Sequence, residues 1–148
     1  MDILVKVSGS LIEDKRFYDW LSAICSSFNK LFILCGGGES ITRALEEKKI
    51  SYGFGPHGRE IYSLEGKRLA QQILKKERSL IGRRLKEKGI DATVFVPVIV
   101  IENKILHMNA DDYAITLYPN FDKIYIVTLK GRAKSFPKDL NKIEVVYL

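Results

Sequence analysis

Two short, mainly apolar segments, each followed within two residues by glycine, constrain the fold of this chain most strongly. Residues 3–7 lead into Ser-Gly-Ser at residues 8–10, and residues 31–35 lead into three glycines at residues 36–38. Short segments that are apolar throughout are typical of strands in a parallel sheet covered by helices on both faces. Because ligands in such sheets bind at the carboxyl ends of the strands, where both glycine turns fall, we expect these turns to lie at a binding edge.

The rest of the chain alternates between helical and strand-like patterns. One predicted helix begins at Asp14, and three more cover residues 39–49, 59–88 and 110–118. Residues 59–88 form one long helix or two short ones with a break at Gly82. Predicted strands cover residues 92–101, 124–128 and 143–148, with a loop at residues 51–58 and an irregular segment at residues 131–141. This order predicts a single α/β domain over residues 1–148, with three αβα layers and a mostly parallel sheet.

Length and cysteine usage exclude several classes of protein. The chain has 148 residues, about the size of one domain. Its longest apolar run is residues 95–101, far short of the roughly 20 residues that a membrane helix needs. Cys25 and Cys35 form no C-x-x-C motif, so we expect neither a metal site nor a disulfide, but two small buried side chains. With no signal-peptide pattern, this favours a cytoplasmic protein.

The positive charge is concentrated in one predicted helix. The net charge is +6, and residues 67–88 contain nine basic and two acidic residues, so this segment carries the whole excess. A solvated outer face is the common reason for such a run, and binding of a polyanion is the alternative. The segment has no aromatic residue on which bases could stack, so nucleic acid is the least favoured partner.

Two features near the glycine turns suggest anion chemistry. Three consecutive glycines at residues 36–38, followed by a helix, can direct backbone N–H groups at a phosphate or carboxylate, or can simply form a tight turn. Lys6 lies inside an otherwise apolar strand, where a cation is costly unless it is paired or used. It could neutralise a bound anion, or it could extend to water from an edge strand.

Polar residues at the start of the last predicted helix are the third candidate. Asn109, Asp111 and Asp112 suit an N-terminal cap with acidic residues in the first turn. The functional alternative is an aspartate that orients a lysine or a metal. His107 is better explained as a structural or surface residue than as a catalytic one, and His57, in a Gly-Pro loop, is expected to be exposed.

Four motifs in order resemble the amino acid kinase superfamily, in particular its N-acetylglutamate kinase and uridylate kinase branches. Residues 6–10 (Lys-Val-Ser-Gly-Ser) are similar to the K-x-G-G-S opening, and residues 34–38 to the second glycine motif. Residues 107–112 are similar to the N-x-N-A-D motif, and the strand ending at Val127-Thr128 falls where the family has its L-T-D-V-x-G strand.

The resemblance implies phosphoryl transfer from ATP, with Mg²⁺, to a carboxylate or phosphate of a small metabolite. It implies a substrate lobe plus a shortened nucleotide lobe. Lys6 would stabilise the transferred group and Asp111 would organise the lysines. Phosphate and substrate would be held by Gly9, Ser10, Gly36, Gly37, Gly38, Arg59 and Asn109, and the nucleotide by Thr128 and Lys130.

The sequence leaves alternatives to an active kinase open. One is a catalytically reduced relative that binds a small anionic metabolite as a regulatory module, needing no cofactor. Because the family often dimerises through the face carrying its long central helix, a homodimer is also expected, consistent with an exposed apolar stripe on residues 59–88.

Overall fold

Strands and helices alternate along the chain, as the apolar patterns predict. The computed structural model describes residues 1–148. The strands are β1 (Asp2–Ser8), β2 (Lys30–Gly36), β3 (Tyr52–Gly55), β4 (Gly58–Ile61), β5 (Thr93–Phe95), β6 (Val98–Ile101), β7 (Lys104–His107), β8 (Lys123–Thr128) and β9 (Ile143–Tyr147). The α-helices are α1 (Lys15–Ile24), α2 (Gly38–Glu47), α3 (Leu64–Glu87) and α4 (Ala110–Thr116).

Five parallel strands form the central sheet, in the order β5-β2-β1-β8-β9. Alternate side chains of β1 point to opposite faces of the sheet. Ile3, Val5 and Val7 belong to one apolar cluster with residues of α1 and the second half of α3, while Leu4 packs with Ala110 and Ala114 of α4. The predicted single α/β domain with three αβα layers is therefore confirmed.

The order of strands creates a crevice beside β1. The chain leaves β1 through α1 and returns in β2 on one side, whereas α4 leads into β8 on the other side of β1. Since α1 and α4 cover opposite faces, the carboxyl end of β1 is a point where the direction of winding changes. Open α/β sheets bind ligands at such points.

The predicted strand over residues 92–101 is wrong as a single element. Pro97 divides it: β5 ends at Phe95, and β6 begins at Val98 and pairs antiparallel with β7 as a separate hairpin. Because proline has no N–H to donate to a neighbouring strand, the chain leaves the central sheet at this residue. The predicted loop at residues 51–58 likewise contains most of an antiparallel hairpin, β3–β4.

The long helix starts later than predicted and is unbroken. Ser63 is its N-cap, with its Oγ accepting a hydrogen bond from Gly66 N at 3.0 Å, so Arg59 lies in β4 and not in a helix. Gly82 is exposed and does not interrupt α3.

The apolar stripe of α3 is buried and not exposed. It faces the core through Ala70, Leu74, Ile81 and Leu85, and basic residues occupy the solvent side. Cys35 is buried as predicted, but Cys25 is only partly buried. None of the helices combines the length and apolarity that crossing a membrane would require.

Candidate functional site

An ion-paired cluster stands at the carboxyl end of β1. Lys6 points to the α4 face because it shares the parity of Leu4, and its Nζ lies 2.9 Å from Asp111 Oδ1. The other carboxylate oxygen, Oδ2, pairs with Lys134 Nζ. One carboxylate therefore holds two ammonium groups that come from distant parts of the chain.

The start of α4 positions this carboxylate. Asn109 caps the helix, with its Oδ1 accepting a hydrogen bond from Asp112 N at 3.0 Å. Asn109 is thus the N-cap of α4, as one of the two alternatives predicted, and this places Asp111 in the first helical turn. Asp112 instead faces His57, whose Nδ1 lies 3.2 Å from its Oδ2 on the surface.

Burial and pairing act in opposite directions on these groups. Lys6 is only 6% exposed, and burial lowers its pKa below the ordinary value although Asp111 opposes the shift. Burial alone would raise the pKa of Asp111, but the charges of Lys6 and Lys134 outweigh it and the net pKa is lowered. The carboxylate is therefore held ionised between its two partners.

The two glycine turns meet at this edge, as predicted. A Cβ atom built on Gly9 would lie 2.5 Å from the backbone oxygen of Gly36, so this approach requires glycine. A Cβ on Gly36 would lie 3.7 Å from Lys6 Cε, which places the lysine directly beside the second turn.

Arg59 and His107 form the opposite wall. An Nη2–H of Arg59 donates to Gly38 O at 2.9 Å and another to Thr42 Oγ1, which ties hairpin β3–β4 to the start of α2. Arg59 Nε and His107 Nδ1 are buried and have no partner in the protein. Burial, assisted by the charge of Arg59, lowers the pKa of His107 to about 4, so its ring is neutral at pH 7.

These residues enclose a cleft of about 220 Å³. Four cationic side chains line it against one carboxylate, Asp111, which leaves three positive charges in excess. The cations are Lys6, Arg59, Arg132 and Lys134. Arg132 also pairs with Glu39 at 3.2 Å, on the surface beside the cleft. An arrangement of this kind attracts a small anion.

Most of the predicted site residues come together in this cleft. It is lined by Lys6, Gly9, Gly36, Gly37, Gly38, Arg59, Asn109 and Asp111. Ser10 and Lys130 are exposed and do not line it. Thr128 is fully buried, and its Oγ1 accepts a hydrogen bond from Ser8 Oγ at 3.1 Å.

Sequence reasoning missed Arg132 and Lys134. Both lie in the irregular segment between β8 and β9, where no periodicity indicates a direction for a side chain. The only available signal was that two basic residues closely follow a strand that ends at the binding edge. The structure contains no cluster of three or more His, Cys, Asp or Glu side chains that could hold a metal ion.

Comparison with known proteins gives matches among solved structures alone. No protein-family model matches the chain, and no curated protein does. The structure of smu.665 from Streptococcus mutans UA159 is similar, with a TM-score of 0.71 and 16% identity over 86% of this chain and 72% of that one.

N-acetylglutamate synthase from Neisseria gonorrhoeae is also similar in structure. Its complex with coenzyme A and L-arginine matches with a TM-score of 0.69 and 10% identity, over 90% of this chain and 44% of that one. Its complex with coenzyme A and N-acetyl-glutamate matches with a TM-score of 0.65 and 12% identity, over 87% and 42%. These likenesses show a shared fold. This chain spans less than half the length of the synthase chains.

The comparisons contradict the assignment to the amino acid kinase superfamily. The enzyme named among the similar structures is a synthase, and the ligands named with it are coenzyme A, L-arginine and N-acetyl-glutamate, not ATP. The predicted phosphoryl transfer and ATP binding are corrected accordingly. The observed cluster at Lys6 and Asp111 therefore has to be explained by its own geometry.

Proposed function

We propose that the cleft binds a small metabolite through a carboxylate or phosphate group. The observation that carries this proposal is that four cationic side chains line one cleft beside two glycine turns, while its one carboxylate, Asp111, pairs with only two of them. A charge-assisted hydrogen bond is stronger than one between neutral groups. A bound anion would satisfy the charge that Asp111 leaves unbalanced.

The ligands named with the similar structures fit the same chemistry. L-arginine and N-acetyl-glutamate carry carboxylates, and coenzyme A carries phosphates. They therefore form a rational first panel, together with inorganic phosphate as the smallest anion.

The experiment is a thermal-shift titration with each of these compounds at constant ionic strength. A compound that binds only the folded chain raises the melting temperature with concentration. We expect at least one of the four to do so, and we expect Lys134→Ala to weaken its binding about tenfold, the effect of losing one charged hydrogen bond.

Lys138→Ala is the matched control, because Lys138 lies on the same segment, is exposed and does not line the cleft. Equal weakening by both substitutions would mean that general surface charge attracts the anion, and would overturn the proposal. So would the absence of any shift with all four compounds.

A homodimer and a cytoplasmic location stay predictions. The apolar stripe of α3 gives the dimer no support, because it is buried in the core of one chain. Sedimentation velocity of the purified chain would decide the oligomeric state.

A further inference from the structure

A second cavity adjoins the cationic cleft. This side groove has a volume of about 600 Å³ and lies between hairpin β3–β4, the start of α3, strand β7 and the start of α4. The groove and the cleft share five lining residues: Gly58, Arg59, His107, Met108 and Asn109. The two cavities therefore meet along these five residues, which form their shared wall.

The two cavities differ in chemistry. The groove has an apolar side formed by Ile61, Tyr62, Ile105 and Leu106, whereas the cleft carries the excess of cations. Cavities that hold whole small-molecule ligands usually measure about 300–1,000 Å³. The cleft alone falls below that range and suits an anionic head group, while the groove lies within it.

The shared wall contains two buried polar atoms without partners, Arg59 Nε and His107 Nδ1. Buried polar atoms in proteins almost always have a hydrogen-bond partner, and one without a partner destabilises the fold. A ligand that spans both cavities would pass directly over the two residues that carry these atoms.

We infer that cleft and groove form one site for an amphipathic acid, whose anionic head lies in the cleft and whose apolar tail lies in the groove. This inference rests on the proposed function, because the tail has no anchor unless the head binds. It names the ligand class: an unbranched or aromatic carboxylic acid several carbons longer than acetate.

The test is a series of unbranched carboxylates, from acetate through butanoate and hexanoate to octanoate. Binding is measured by NMR titration at constant ionic strength. Full burial of one methylene group strengthens binding about fourfold. Since the groove is open on one side, we expect about twofold for each added methylene, or roughly 60-fold between acetate and octanoate.

Two variants of the β6–β7 hairpin locate the tail. Leu106 lines the groove and is 41% exposed, whereas Ile101 lies outside it and is 54% exposed, so both tolerate substitution. Leu106→Asn should reduce the gain with chain length severalfold, and Ile101→Asn should leave it unchanged.

Each other outcome overturns a defined part of the reasoning. If acetate binds and octanoate binds no tighter, the tail subsite is refuted while the anion site stands. If the gain with length survives Leu106→Asn, the tail lies elsewhere and the inference fails. If none of these acids binds while one of the four compounds of the first panel does, the inference fails and the proposed function stands. If none of the acids and none of those four compounds binds, both fail.

Discussion

Glu77 is a buried carboxyl group without a hydrogen-bond partner, and it makes the stability of the fold depend on pH. It projects from the buried face of α3, is 6% exposed, and neither of its carboxylate oxygens has a partner. Burial raises its pKa to about 7; the charge of Glu13 adds to the shift, and the polar side chain of Ser40 opposes it.

The magnitude follows from linkage between protonation and folding. A carboxyl with a pKa of 4.5 in the unfolded chain and about 7 in the folded chain binds its proton more tightly when folded. Its favourable contribution is complete below pH 4.5, declines as the pH rises to about 7, and is absent above that. The full difference is about 3 kcal/mol.

Glu77→Gln replaces the titrating group with a neutral one of the same shape. We expect the variant to gain up to about 3 kcal/mol relative to the wild type between pH 5 and pH 8. For a chain of this length, the melting temperature of the variant minus that of the wild type should be about 6–12 °C larger at pH 8 than at pH 5.

Urea unfolding of both proteins at pH 5, 6, 7 and 8 measures this difference. Glu87→Gln, an exposed position on the same helix, is the matched control and should show no such trend. His107 has the opposite pH dependence to Glu77. Because burial lowers the pKa of His107, the unfolded chain binds its proton more tightly and the fold loses stability as the pH falls below 6.5. His107 is present in all three proteins and cancels in the comparison. Parallel pH profiles for wild type and Glu77→Gln would refute the reasoning.

Two further predictions concern the glycines and the ion-paired cluster. Gly9→Ala should destabilise the fold by about 1–3 kcal/mol, because the added Cβ would overlap the backbone oxygen of Gly36. Gly82→Ala, in open space on α3, should stabilise the fold by about 0.5–1 kcal/mol. Thermal melts that fail to separate the two variants would contradict both expectations. Asp111→Asn should destabilise the chain by about 3 kcal/mol in urea unfolding at pH 7, since it leaves the buried ammonium of Lys6 unpaired, and a loss below about 1 kcal/mol would contradict the role given to this pair.

The parts of the site that the sequence predicted are those that follow from the common edge of a parallel sheet. The sequence places Lys6 in the first strand, one residue before the end of its apolar part, and the structure puts it on the face opposite Val5 and Val7. The two glycine turns follow strands that pair in register, with Ser8 opposite Gly36, so their meeting was implied by the strand assignments.

The parts that it did not predict depend on irregular backbone. The resemblance names Arg59 as a binding residue, but the sequence places it in a helix; it enters the cleft because β3–β4 folds back as a hairpin. Pro97 turns the chain out of the sheet into a second hairpin, whose strand β7 presents His107. Lys134 reaches Asp111 from a segment with neither helical nor strand periodicity. Such placements are determined by tertiary packing and not by local pattern.

The segment with the largest net charge is not the segment that forms the site. The sequence concentrates its positive excess in α3, but the solvent side of that helix carries those charges and the cleft contains none of them. The four cations of the cleft come from three separate parts of the chain, β1, β4 and the segment after β8, and only Arg132 and Lys134 are close to each other in sequence. In this chain the run of like charges therefore forms a surface, whereas the fold brings the cations of the cleft together at one edge of the sheet. Asp111 is likewise only one of 18 acidic residues in the chain, yet it is the carboxylate that lines the cleft and pairs there with Lys6 and Lys134.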